Sequence, residues 1–489
     1  MTTGRTGAIV VAQTQPSIWD KSNFALTLGS IIAVTIAAFQ GLAIATITPV
    51  LTQDLNGEHL YGWVFNAFLI PQIVGTVLGG REVDRLPPWQ VFYPAIALFA
   101  VGLIICSFSD TMGMLLFGRM FIGFGTGAMF STVYAIISAS YEDELRPSML
   151  AAISTAWIIP SLIGPFVAGT VADLLHWRWV FIGLLPLVAL SGILTWRTYS
   201  AIQIQKDSAN AHLNRRRLPL AIILATGTFL FLAGPELEPL SQLVGEGVSN
   251  IPTGVLVAVT IVGIVLIIPT LKRLVPEGTF ALTPMLPAAI SVRSLAFGGF
   301  AIIETYVVYS LKEFGGLSSS QAGIILTVGS LTWTAGSILQ ARLDRMHGAG
   351  GRPMRMVLGT ITMLVGSTAI VLDVVIAQSI NWPLAMISWA IVGLGIGVAL
   401  TTATAVAFQY APKGQEGLVS SSFLLLDLFS NAIGVGIGGF MLAATLARGW
   451  SQPAAAALAM SLALAFLVPA VFAAFRMSRS RLAPTPLVA

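Results

Sequence analysis

Long apolar runs separated by short polar segments dominate the 489-residue chain. Crossing the hydrocarbon core of a bilayer as a helix takes about 20 apolar residues. Runs of that length fall at 26–51, 61–80, 91–108, 112–137, 148–171, 178–198, 218–235, 251–271, 287–311, 319–340, 354–376, 383–409, 418–443 and 453–475. The pattern predicts fourteen spans. In lipid every backbone N–H and C=O must be satisfied within its own element, so these runs read as helices. Six precede the polar, basic segment 203–217, two stand alone after it, and six more occupy 287–475. The expected division is an N-terminal tail over 1–25, a six-helix bundle over 26–200, a basic linker over 201–217, two additional helices over 218–272, a second six-helix bundle over 285–476 and a C-terminal tail over 477–489.

Composition agrees with an all-α integral membrane protein. Hydrophobic residues make up 56% and charged residues only 9%, where soluble domains carry about a quarter charged, and mean hydropathy is +0.86. Of the 25 Lys and Arg, twenty fall in the tails and loops that would share a side with the N-terminus. Three, Arg178, Lys312 and Arg448, fall on the other side. One missed span would invert every later loop, so this bias supports the span count and puts both termini in the cytoplasm. The first 24 residues lack the apolar core and small-residue cleavage site of a signal peptide and read as a cytoplasmic tail. A net charge of +4 then reflects basic loops facing an anionic inner leaflet, with no soluble basic domain to bind nucleic acid. The single Cys106 allows no internal disulfide, and the four histidines are not spaced as metal ligands, so no metal or cofactor is expected.

Within this frame, Gly164-Pro165-Phe-Val-Ala168-Gly169 stands out. Gly and Pro disfavour a soluble helix but are tolerated in a membrane one, where small side chains let a second helix come close. The segment reads as a kinked, tightly packed helix contact, with a purely structural kink as the alternative. Both six-span blocks carry a similar mark after their second span: Gly80-Arg-Glu-Val-Asp84-Arg85 in the first, and Arg342-Leu-Asp344-Arg345 with Gly348, Gly351 and Arg352 in the second. Internal symmetry of this kind is typical of transporters built from repeats.

Four marks together resemble the major facilitator superfamily, in particular its fourteen-span drug:proton antiporter branch. Gly80, Asp84 and Arg85 match its cytoplasmic-loop motif; Arg119-Met-Phe-Ile-Gly123-Phe-Gly125 matches the motif with a membrane-buried arginine; Gly164-Pro165 with Ala168-Gly169 resembles the exporter motif; and His176-Trp-Arg-Trp-Val-Phe181 resembles the entry to the sixth span. The resemblance implies a major facilitator fold with two central helices added, a monomer in the plasma membrane, and exchange of a small molecule for protons. It also implies that Arg119 takes part in proton transfer, and that Gly80, Asp84, Arg85, Asp344 and Arg345 form a cytoplasmic gate. Two departures matter. Leu86-Pro-Pro-Trp89 replaces the basic second half of the loop motif, and Gln40 stands nine residues before Pro49 where many members carry an aspartate. An amide cannot exchange a proton near neutral pH, so coupling must use another group.

Glu304 and Asp427 are the intramembrane acids deep enough for that role, since charges at such depth are usually functional. The alternatives are a polar cluster of Glu304 with Thr305 and Tyr306, and a hydrogen-bond network of Asp427 with Ser430 and Asn431. Arg119 is permanently charged and requires an anionic or carbonyl partner; Arg293 and Asp373, near span ends, read as structural. Asp84 is placed to accept from the N-terminal amides of a facing helix, with a solvated loop pair as the alternative. Phe39, Gln40, Phe130, Tyr134, Tyr306, Tyr309 and Trp333 are candidates to line a central cavity, whose apolar walls suit lipophilic compounds held loosely. Packing is the competing role for these aromatics. No phosphate-binding loop and no nucleophile–base or metal constellation occurs, which argues against ATP as the direct driver and against an enzyme. The expected function is export of lipophilic small molecules in exchange for protons; a physiological lipid, siderophore or metabolite as cargo, or a receptor or scaffold without transport, are the alternatives.

Overall fold

The computed structural model describes residues 17–20, 23–83, 85–141, 145–202, 208–237, 240, 251–411 and 416–480. These form α1 (Phe24–Asp54), α2 (Tyr61–Val83), α3 (Pro88–Ser107), α4 (Met112–Ser140), α5 (Arg146–Leu174), α6 (Arg178–Ile182), α7 (Leu185–Ala201), α8 (Ser208–Ala233), α9 (Thr253–Leu274), α10 (Leu286–Glu313), α11 (Ser319–His347), α12 (Arg352–Ala377), α13 (Trp382–Gln409), α14 (Glu416–Ala447) and α15 (Gln452–Ser480), with no strand among the described residues. Thirteen spans are long and apolar enough to cross a bilayer, α6 and α7 counting as one, and the apolar part of α8, Arg217–Ala233, is a shorter fourteenth stretch.

Local chemistry explains the helix ends and breaks. Thr111 caps α4 by accepting from the Met114 amide at 3.2 Å, and Ser318 and Gln321 form a reciprocal capping box on α11. The run expected as one helix over 178–198 is interrupted at Gly183–Leu184, because Pro186, in the first turn of α7, has no N–H with which to continue α6. Threonines beside the interior Pro49 turn their hydroxyls onto carbonyls of their own helix, Thr48 onto Ile44 at 2.6 Å and Thr52 onto Thr48 at 2.8 Å.

The helices pack as two bundles and a pair. The first bundle is α1–α7, with α2 against α4, α4 against α3, and α1 against α5 and α7; the second is α10–α15, with α11 and α12 against α13, and α10 and α12 against α15. The extra helices α8 and α9 lie against each other, and α8 also touches α2 of the first bundle and α14 of the second. The two bundles meet through α5 with α11, α2 with α14, and α1 with α10 and α11. The close contacts of this seam gather at one end, formed by the ends of α1, α5, α10 and α14 and the starts of α2 and α11. We call it the far face, because α1 begins and α15 finishes at the opposite end, the terminal face.

Candidate functional site

At the far-face seam, glycines and a carboxylate bring α5 against α11. A Cβ on Gly169 of α5 would overlap the Ser319 carbonyl of α11, and one on Gly323 of α11 would overlap the carbonyl of Pro165. Only hydrogen fits at either position, so the two helices touch backbone to backbone. Ala168, next to Gly169, is fully buried. Gly164 is different: a Cβ there would meet only the Phe39 ring of α1, at 3.4 Å. One turn beyond Gly169, Asp173 accepts from the Ser319 amide at 3.1 Å and the Ser320 amide at 2.8 Å, so a residue of one bundle caps a helix of the other. Across the seam, Gly62 of α2 and Gly439 of α14 approach so closely that a Cβ on Gly439 would lie 2.8 Å from the Gly62 Cα. Tyr61 donates to the Thr305 carbonyl at 3.1 Å, and Tyr306 donates to the Val435 carbonyl. The Tyr61 ring stands edge-on to Tyr309 at 5.3 Å.

Tyr306 and Tyr309, expected in a cavity wall, therefore pack the closed end. Phe130 is buried against Trp157, with ring centroids 5.7 Å apart, and Tyr134 one turn further along α4 is exposed. Trp333 is half-buried and edge-on to Phe300, which stacks on Trp389. Gln40 is buried, and its Oε1 has no hydrogen-bond partner among the described residues. Phe39 lines an apolar cavity of about 240 Å³ between α1, α5 and the α6–α7 break, walled also by Ala168, Trp179 and Leu184 and holding no charged group.

The two acids have opposite surroundings. Glu304 of α10 is partly exposed, and among the described residues no hydrogen bond or ion pair engages it. Thr305 and Tyr306, the expected cluster, turn to Tyr61 and Val435 instead. Helical spacing puts Arg293, Phe297 and Glu304, all partly exposed, on one stripe of α10. Asp427 is buried and paired: Arg293 donates through Nε at 3.0 Å and Nη2 at 2.9 Å, and Ser294 at 3.2 Å. Arg293 also reaches Thr404 at 2.6 Å and lies over the Phe423 ring. It does not snorkel, and the partners of Asp427 come from α10 in place of the expected Ser430 and Asn431. Asp373 caps the turn before α13 through the Asn381 amide at 2.8 Å.

Arg119 is fully enclosed, donating from Nε to the Val64 carbonyl at 2.9 Å and lying over the Phe68 ring at 4.7 Å. Its Nη1 has no partner, and no acid pairs with it among the described residues. On the terminal face, Arg85 and Arg81 each stand 3.5 Å from Glu82 beside Gly80, while Asp84 lies outside the described residues. In the second bundle Asp344 binds Arg352 through two donors at 3.0 and 2.9 Å, and also Arg355 and Gln340. Arg352 goes on to Gln409 of α13, so Asp344 ties α11, α12 and α13 of one bundle together. Arg345 takes part in no such bond among the described residues. No group of three His, Cys, Asp or Glu among the described residues could hold a metal ion.

Comparison with known proteins fits this architecture. The family model described as Major Facilitator Superfamily matches residues 29–311, more than half of the chain. The chain is similar to a probable multidrug-efflux transporter of Mycobacterium tuberculosis, 24% identical over 426 residues and covering 85% of this chain and 86% of the relative. It is also similar to the multidrug efflux pump SdrM of Staphylococcus aureus, 23% identical, covering 84% and 88%. Among solved structures, a peptide transporter POT in complex with sulfate shares the fold with a TM-score of 0.67 at 14% identity, covering 93% of this chain and 95% of that one. The chain belongs to the Major Facilitator Superfamily.

Proposed function

We propose that this protein is a secondary exporter of the plasma membrane that moves lipophilic small molecules out of the cell in exchange for protons, by alternating access between its two bundles. Family and fold indicate a transporter rather than an enzyme, and two of its relatives are described as multidrug-efflux proteins. The excess of Lys and Arg on the terminal face supports a cytoplasmic position for that face, so the far-face seam is the outer gate, here shut.

The observation that carries the reading is the contrast between that gate and Glu304. The bundles touch through bare backbone at Gly169, Gly323, Gly62 and Gly439, and the side-chain bonds that cross the seam among the described residues are few: Asp173 to the start of α11 and Tyr61 to the Thr305 carbonyl. Glu304 is a partly exposed carboxyl of α10 that no hydrogen bond or ion pair engages among the described residues, in a chain whose first-span position holds Gln40. Asp427, compensated by Arg293, can change charge only if that pair changes with it. Glu304 therefore loads the proton, and the Arg293–Asp427 pair senses it along the same helix. Export of a lipophilic dye by the reconstituted protein under an imposed pH gradient tests this: Glu304→Gln should abolish gradient-driven export while dye binding persists. Undiminished export by that variant would remove Glu304 from the mechanism.

A further inference from the structure

The two extra helices bring a carboxylate to the outer gate. α8 ends at Ala233, and in the turn that follows Glu236 is 6% exposed, its carboxylate accepting the indole N–H of Trp63 on α2. Trp63 adjoins Gly62, which touches Gly439, and its ring stands edge-on to Phe229 of α8 at 5.6 Å. One turn further along α8, Leu232 fills the space at Gly436 of α14, where a Cβ would lie 2.7 Å from the leucine methyls and 2.6 Å from the Asn66 amide of α2. The outer end of α8 thus straddles the α2–α14 approach, one helix from each bundle.

Among the described residues the carboxylate has no counter-charge. The indole N–H is its one side-chain donor among the described residues of α2, α8 and α14, none of which brings a charge to it, and from α10 the Tyr306 phenol lies within electrostatic range. Burial without a cation favours the neutral carboxyl, and a single N–H offsets this only in part. Burial pushes Glu236 from its ordinary 4.5 up to about 7, against the lowering effect of the Trp63 bond.

We propose that Glu236 is a proton-binding site of the outer gate: it takes a proton from external water when α2 and α14 are apart, and the gate closes over the neutral carboxyl. Beyond the coupling assigned to Glu304, this makes the α8–α9 pair a sensor of external pH, and it rests on the proposed orientation and alternating access. The proton comes from outside water and returns there on reopening, so no charge crosses the membrane in this step. The closed state binds more protons than the open one between the ordinary carboxyl value and about 7. Raising pH through that window draws the protein open, and above it nothing further changes. At the limits the open-to-closed ratio differs by up to about 300-fold.

Spin labels on cysteines at Leu174 of α5 and Ile376 of α12, both 78% exposed, with Cys106 replaced by Ala, report the far-face separation in lipid nanodiscs. The open population should rise as pH is raised from about 4.5 to 7 and then level off. Glu236→Gln should stay closed and flat across that range. Trp63→Phe, which removes the donor that favours the charged form, should move the midpoint upward by about one pH unit, a displacement that loss of packing alone would not give. A titration that survives Glu236→Gln, or one that vanishes in Glu304→Gln instead, overturns the site while leaving proton-coupled export standing. Export that needs no gradient, with Glu236→Gln still abolishing the titration, overturns the coupling and supports the site.

Discussion

Asp173→Ala isolates the strength of the outer latch. In the closed gate its two carboxylate oxygens take the first two free amides of α11, at 3.1 and 2.8 Å. The other cap of that helix, Ser318 with Gln321, belongs to α11 itself and is untouched by the change. The carboxylate is exposed to solvent, so it is credited only with the surface value of an anion at a helix N-terminus, about 0.3–1 kcal/mol. Losing it should raise the open-to-closed ratio by roughly 1.7- to 5-fold. The distance between spin labels at Leu174 and Ile376 measures that ratio directly, and Asp173→Glu, which keeps the charge, should recover part of it. Unchanged distance distributions in Asp173→Ala would show that the latch contributes nothing and that the other contacts of the seam hold the gate.

Two further outcomes follow from the same geometry. Gly169→Val should prevent full closure of the far face by about 1–3 kcal/mol of overpacking against Ser319, whereas Gly164→Ala, which meets only Phe39 at 3.4 Å, should close normally; equal label distances in the two variants would contradict this. Asp427→Ala strands the Arg293 charge and should destabilise the protein by about 3–5 kcal/mol, and adding Arg293→Met should recover much of the loss in thermal unfolding, an additive double variant being the contrary result.

Span positions were legible because hydropathy is a one-dimensional property. The run expected over 26–51 is the core of Phe24–Asp54, and that over 287–311 the core of Leu286–Glu313. The break at Gly183 was not, since hydrophobicity continues across it and only Pro186 marks the restart. The small residues of α5 announced a close helix contact, and such a contact is present, but at Gly169 and Pro165 more than at Gly164. A glycine's role depends on which face of its helix meets a neighbour, which one sequence does not contain. Pairing across helices was equally hidden: Arg293 and Asp427 lie on different helices with nothing in the intervening sequence to join them. Asp173 and Glu236 each sit where an apolar run gives way to a polar connection, and such positions read as solvated loops. Only the seam turns one into a cap and buries the other. A Gly-Pro-Glu turn directly after a span, in a helix pair outside both bundles, is the signal that could have drawn attention to Glu236.

In the proposed mechanism the Glu304 carboxyl exchanges protons for cargo. This is tested most directly by following lipophilic dye and proton together in proteoliposomes, with a pH gradient imposed and then collapsed by nigericin. Fluxes of dye and proton should be opposed in the native protein, both lost on collapse of the gradient and both lost in Glu304→Gln, with dye binding retained. Dye movement that continues at the same rate without the gradient, or proton flux that persists in Glu304→Gln, would contradict that mechanism.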